Sequence, residues 1–200
     1  GSSSTNAMAY VRGNQADYDE WAAMGNIGWG YKEVLPYFKR SEHNEDITND
    51  FHGIHGPLNV TFQKSFQTPY ARAFVKACIE NGIPENPDHN GLRQEGTGML
   101  QFTIKNGRRH STATAFLQPA LSRANLKVIT RAMVKAILIE GNRATGVEYI
   151  TADKNTHKIY ASKEVILSAG SFQSPQLLML SGIGDAESLS THGITVKNEL

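Results

Sequence analysis

The sequence has little cysteine, no strong charge bias and no long apolar run. Cys78 is the single cysteine among 200 residues, which excludes an internal disulfide framework and a thiolate metal cluster. With 20 basic and 19 acidic residues the net charge is +1, so nothing predicts binding to nucleic acid. No apolar run approaches membrane-spanning length, and no signal peptide is evident. We therefore expect a globular chain, with no evidence for a membrane partner and with a cytoplasmic location favoured.

One stretch near the C-terminal end, residues 165–184, has the strongest local pattern, VILSAGSFQSPQLLMLSGIG. Its β-branched apolar start predicts a buried strand, and the small residues that follow predict a tight turn. Ser174 and Pro175 suit the N-cap and first residue of a helix, and Gly182 suits a left-handed C-terminal cap. A strand, turn and helix in this order present free backbone N–H groups to an anionic or polar ligand.

The rest of the chain alternates short helices with strands. Small residues after position 4 predict the start of a helix over 5–13, and further helices are expected over 17–24, 31–38 and 69–81. Helical spacing places Phe74 and Cys78 on an apolar face, so we predict that Cys78 is a core residue. Strands are predicted over 126–130, 134–140, 144–150 and 158–161, in a β-meander.

Two histidines raise the possibility of a metal site. His52 and His55 have the spacing of half such a site, but no second pair of ligands lies nearby in the sequence. We predict a structural turn here and no metal.

Two signatures resemble those of the glucose–methanol–choline (GMC) family of flavin oxidoreductases. The first is the Gly-Ser-rich start followed by Asn6, and the second is the GS-x-x-SP-x-LL-x-x-SGIG pattern of residues 170–184. The runs HG-x-x-GPL-x-V and GRR-x-S-x-A-x-AFL also resemble this family. The resemblance implies an α/β fold of mixed α+β character: the central part of a two-domain FAD-binding protein, with a β-meander and part of an antiparallel-sheet substrate domain.

The resemblance also implies segments and contacts. Residues 1–50 would form part of the FAD domain with a flavin-covering segment, 51–105 part of the substrate-binding domain, and 106–200 a return to the FAD domain. The residues that match the family's FAD contacts are Asn6, Ala7, Met8, Ala9 and Val134. Residues 108–110 form either a small anion site or a solvated turn, and we assign them no chemical role.

The sequence also lacks features that a complete flavoenzyme of this kind requires. None of its Gly-x-Gly pairs continues to a GxGxxG turn, and none of the seven histidines matches the family's catalytic histidine. We therefore predict no catalytic residue within this chain, and expect that the fragment alone is inactive.

The resemblance implies an FAD-dependent oxidation of a primary alcohol, choline-like or other, by hydride transfer to flavin N5. The electron acceptor is unknown. Two alternatives stay open: lyase or decarboxylase chemistry on the same scaffold, and a non-catalytic globular module.

Overall fold

A computed structural model describes residues 1–64 and 67–200. The chain divides into two units, Gly1–Leu126 and Lys127–Leu200, and each is described by itself below. Helices and mostly antiparallel strands occur in both units, which confirms the predicted mixed α/β class. The finer predicted division at residues 50 and 105 stays a prediction.

The first unit combines three main helices with short strands. After a 3₁₀ turn, its elements follow in the order Ser2–Ser4 (3₁₀), α1 (Gln15–Ala23), α2 (Tyr31–Ser41), β1 (Glu42–Asn44), β2 (Leu58–Phe62), α3 (Pro69–Glu80), β3 (Gln101–Phe102), β4 (Ile104–Lys105), β5 (Arg108–Arg109), a π-helical turn (Ala113–Leu117) and α4 (Gln118–Ala120).

Helix α1 is fixed at its start by a reciprocal cap. The Asn14 side chain accepts a hydrogen bond from the Ala16 amide, and the Asp17 carboxylate accepts one from the Asn14 amide. Tyr18 of this helix then packs edge-on against Phe38 of α2, with ring centroids 5.6 Å apart. The helices predicted over 17–24 and 31–38 are confirmed, and their aromatic side chains pack against each other.

A three-stranded sheet lies at the centre of the first unit. Strand β2 pairs parallel with β1 and antiparallel with β3. Val60 of β2 is fully buried, and the neighbouring Asn59 is only 2% exposed. The β4–β5 hairpin turns through Asn106 and Gly107, both with positive φ, as such two-residue turns require.

Two expectations for the first unit are wrong. The stretch 5–13 is not helical, because its backbone pairs with the sheet: the Tyr10 amide donates to Gln101 O and the Thr103 amide to Met8 O. Helix α3 forms as predicted, but its apolar face is not buried by the described residues. Phe74 is 69% exposed and Cys78 only half-buried, because periodicity identifies a face without providing its partner.

The second unit is built on the predicted meander. Its strands pair antiparallel in the order β6-β7-β8, and the helices follow the sheet along the chain. Gly146 is required at its position in the sheet, because a Cβ there would lie 2.2 Å from Ile159 O. The elements are β6 (Ala132–Glu140), β7 (Arg143–Thr151), β8 (Thr156–Tyr160), α5 (Gln173–Leu180) and α6 (Ala186–Thr191).

Two predicted strands do not form. Residues 126–130 and 165–167 lack a strand partner among the residues that the structure describes, and Ile166 is 78% exposed. An apolar β-branched run becomes a strand only where another strand supplies its hydrogen bonds. Helix α5 is present, and Gly182, with φ 92°, follows its C-cap Ser181 in the predicted left-handed conformation. Its start differs, because Phe172 is the N-cap and the Ser174 hydroxyl accepts a hydrogen bond from the Ala169 amide instead.

Candidate functional site

The predicted cofactor segment is a compact loop at the start of the first unit. The amides of Thr5 and Asn6 both donate to Ser2 O, at 2.9 and 2.8 Å, which turns the chain. The Asn6 side chain then accepts a hydrogen bond of 3.1 Å from the Met8 amide. Met8 has φ 65°, in the left-handed region that non-glycine residues seldom adopt. The four predicted contact residues at this end of the chain therefore share one ordered loop.

This loop leaves backbone donors free. Within residues 1–64 and 67–200, the amides of Ala7 and Ala9 donate to no protein acceptor. Both residues are exposed and carry only a methyl side chain, so a ligand can approach the backbone closely. Free amides beside a left-handed residue suit an anion or a ring carbonyl, which is the chemistry of a flavin nucleotide. These residues therefore fit the cofactor that the sequence predicts.

Residues more than one hundred positions away hold the loop in place. Arg109 of β5 donates from Nη1 to Asn6 Oδ1 at 2.7 Å and to Ser3 O at 3.1 Å. The Thr112 amide donates to the Ser3 hydroxyl at 3.2 Å. Sequence reasoning left Arg109 without a role, and the only signal was its place in the GRR run.

The three residues 108–110 differ in their surroundings. Arg108 is exposed, whereas Arg109 is half-buried and His110 is buried. His110 Nδ1 accepts a hydrogen bond from the Asn59 amide, and burial, with a contribution from Lys105, lowers the pKa of its imidazole. The histidine therefore supports strand β2 in its neutral form.

Val134 lies in the second unit, on strand β6. It pairs with Tyr149 and is followed at once by a break in register between Val134 and Ala136. Its side chain is 36% exposed. A bulge frees backbone groups from the ladder, but the contact of Val134 with the adenine end of FAD stays a prediction.

A buried ionic network, which the sequence did not reveal, crosses the first unit. Glu42 is fully buried and accepts hydrogen bonds from Arg12 Nη2 at 2.7 Å, from His52 Nδ1 at 2.9 Å and from the Gly53 amide at 3.0 Å. The other ring nitrogen of His52 lies 3.0 Å from Asp88 Oδ1. The contacts of the network join residues that are 10 to 36 positions apart in sequence.

The pKa values of the network follow from these contacts. Burial raises the pKa of Glu42, but the hydrogen bonds from His52, Gly53 and Asn44 outweigh it and hold the pKa below its usual value. Burial lowers the pKa of His52, but Glu42 and Asp88 outweigh it and raise the pKa above its usual value. A raised pKa favours the form in which both ring nitrogens donate, one to Glu42 and the other to Asp88.

The network gives His52 of the His-Gly turn a structural role, because each of its ring nitrogens lies beside a carboxylate. Among residues 1–64 and 67–200, no three His, Cys, Asp or Glu side chains are arranged to hold a metal ion. The predicted absence of a metal stays a prediction.

The GMC oxidoreductase family model matches residues 1–196, and the chain belongs to this family of flavin oxidoreductases. The predicted recognition, fold class and cofactor, FAD, are confirmed at the level of the family.

Among curated proteins, the chain is similar to choline dehydrogenases. It is 48% identical over 196 residues to the mitochondrial choline dehydrogenase of Homo sapiens, covering 98% of this chain and 33% of that protein. It is also 48% identical over 196 residues to the oxygen-dependent choline dehydrogenase of Brucella anthropi, covering 98% and 35%. The chain thus spans about a third of the length of the curated relatives it matches.

Two solved structures are similar to this chain along its whole length. Pyridoxine 4-oxidase from Mesorbium loti superposes with a TM-score of 0.91 at 32% identity, covering 99% of this chain and 39% of that one. An FAD-dependent oxidoreductase from Chaetomium thermophilum superposes with a TM-score of 0.92 at 33% identity, covering 100% and 37%.

No helix in residues 1–64 and 67–200 combines the length and apolar character needed to cross a membrane. The cytoplasmic location stays a prediction.

Proposed function

We propose that the full-length protein that contains this chain oxidises the CH–OH group of a primary alcohol, with choline as the first candidate substrate. The observation that carries this proposal is the 48% identity to choline dehydrogenases over 98% of the chain. When bound, FAD would accept a hydride from the carbinol carbon at flavin N5. Binding and orientation are the tasks of this chain.

Each unit contains residues that the family resemblance matches to FAD contacts. In the first unit, the loop of Asn6, Ala7, Met8 and Ala9 offers unengaged amides at Ala7 and Ala9 beside small side chains. In the second unit, Val134 offers its backbone next to a break in the strand register. Amide donors of this kind bind anionic and carbonyl oxygens without adding charge to the protein, so they suit a flavin nucleotide.

We propose no catalytic residue within this chain. The buried histidines are already committed: His52 to two carboxylates and His110 to a strand amide. General acid–base chemistry needs a group within hydrogen-bond reach of the substrate hydroxyl, and the family resemblance implies that this group lies elsewhere in the full protein. The chain alone is therefore expected to be inactive.

The experiment is anaerobic flavin reduction in the purified full-length protein. Choline and a panel of primary alcohols are added without oxygen, and the flavin absorption is followed. Bleaching by choline supports the proposal with its substrate, and bleaching by another alcohol supports the reaction but replaces the substrate. Bound flavin that no alcohol bleaches would favour the lyase or decarboxylase alternative. A protein without flavin would refute the proposal.

A further inference from the structure

The contacts of Arg109 are concentrated on the cofactor loop. Its Nη1 atom carries two protons and donates to two acceptors of the loop, Asn6 Oδ1 at 2.7 Å and Ser3 O at 3.1 Å. No carboxylate lies within 4.0 Å of this guanidinium in the part of the chain that the structure describes. The half-buried Arg109 therefore serves the loop rather than an ion pair.

The bond to Asn6 controls the conformation of the loop. Asn6 Oδ1 accepts from Arg109 and from the Met8 amide at the same time, so one oxygen joins strand β5 to the left-handed turn at Met8. A left-handed, non-glycine residue is strained on its own and persists only where its surroundings fix it. The free amides of Ala7 and Ala9 lie on either side of this residue.

We propose that Arg109 is a positioning residue for the cofactor: it holds the loop in the conformation that leaves the Ala7 and Ala9 amides free to bind. This inference rests on the proposed function, since it assigns a purpose to the same loop. Hydrogen bonds from a charged donor are stronger than neutral ones, and a preformed loop loses less conformational entropy when a ligand binds. Without Arg109, part of the binding free energy would be used to order the loop.

The test compares variants of the full-length protein. FAD affinity is measured by flavin fluorescence, and hydrogen exchange of residues 2–9 is measured in the FAD-free protein. Arg109→Gln is expected to weaken FAD binding about tenfold and to speed exchange in this loop, because a charged hydrogen bond is lost. Arg109→Lys keeps a cation with several protons and is expected to restore part of both effects. Arg108→Gln is the matched control, because Arg108 is the exposed neighbour on the same strand, and it should change neither.

A double-mutant cycle separates positioning from general destabilisation. If Arg109 acts through Asn6, Arg109→Gln should add little to the loss of FAD affinity in Asn6→Ala. Additive losses would overturn the proposal, as would unchanged affinity and exchange in Arg109→Gln. If Arg109→Gln fails to fold, Arg109→Lys decides. A loss of FAD binding free energy equal to the loss in the free energy of global thermal unfolding would overturn the proposal. A wild-type protein that binds no FAD would overturn the proposed function as well, whereas wild-type binding with an unaffected Arg109→Gln would overturn the positioning role alone.

Discussion

The replacement Glu42→Gln tests the buried network most directly. It keeps the shape of the side chain but removes its charge and places an amide NH₂ among groups that are already donors. Glu42 is fully buried, and the Arg12 side chain is only 4% exposed, so neither can be rescued by water. Removing one partner of a buried ion pair leaves the other charge uncompensated, and this costs about 3–5 kcal/mol.

The matched control is Glu80→Gln on helix α3. Glu80 pairs with Lys76 at 3.7 Å, but the two side chains are 63% and 78% exposed. Exposed pairs at this spacing contribute little, so we expect a change within about 0.5 kcal/mol. The two substitutions are chemically identical, and only their surroundings differ.

The assay is hydrogen exchange of the peptide that spans residues 42–53 in the full-length protein, together with its thermal unfolding. The Gly53 amide donates directly to Glu42, so its exchange reports on local opening of the network. A loss of about 3–5 kcal/mol raises the opening equilibrium by more than about a hundredfold. If Glu42→Gln behaves like Glu80→Gln, the network does not stabilise this part of the fold and the reasoning is wrong.

Three further predictions concern single residues. Because the pKa of His52 is raised, the stability that its protonation contributes to the fold is fully present below its unfolded pKa of about 6.5 and is lost as pH rises through the higher folded pKa. Melting temperatures measured against pH should show this loss, and His52→Gln should lack it. Gly53→Ala should destabilise the protein by more than about 3 kcal/mol in denaturant unfolding, because the added Cβ would lie 1.8 Å from the backbone oxygen of Lys39. Gly82→Ala should cost only about 1–2 kcal/mol, because Gly82 has φ 87° but open space around it. Ser181→Ala should cost about 1–3 kcal/mol by thermal unfolding, because the Ser181 hydroxyl accepts the buried Ile137 amide at 2.7 Å; an unchanged melting temperature would contradict this.

Local patterns in the sequence predicted the elements whose stabilising contacts are also local. Helix α1 has its cap and its stop within a few residues, and the meander has its turns at Gly141 and Lys154, both with positive φ. Residues 165–167 were predicted as a strand from an equally clear pattern, but a strand depends on a partner that periodicity cannot supply.

The candidate site divides in the same way. The loop around Asn6 could be predicted from its small residues and its resemblance to a family signature, although the helix predicted there does not form. Its support by Arg109 could not be predicted, because the two residues are 103 positions apart and no local pattern joins them. The network of Glu42 and His52 was not predicted either, because the sequence does not show which charged residues the fold buries.

The central claim is that this chain carries the FAD-binding loop of a GMC flavoenzyme, and its most direct measurement is the flavin content of the purified full-length protein. We predict stoichiometric FAD in the wild type, and a clear loss of FAD in Ala9→Asp, because a carboxylate beside the free amides would occupy them and repel an anionic cofactor. Gly82→Ala, on a distant turn, should retain the wild-type content. A wild type without FAD, or an Ala9→Asp variant with full flavin content, would contradict the claim.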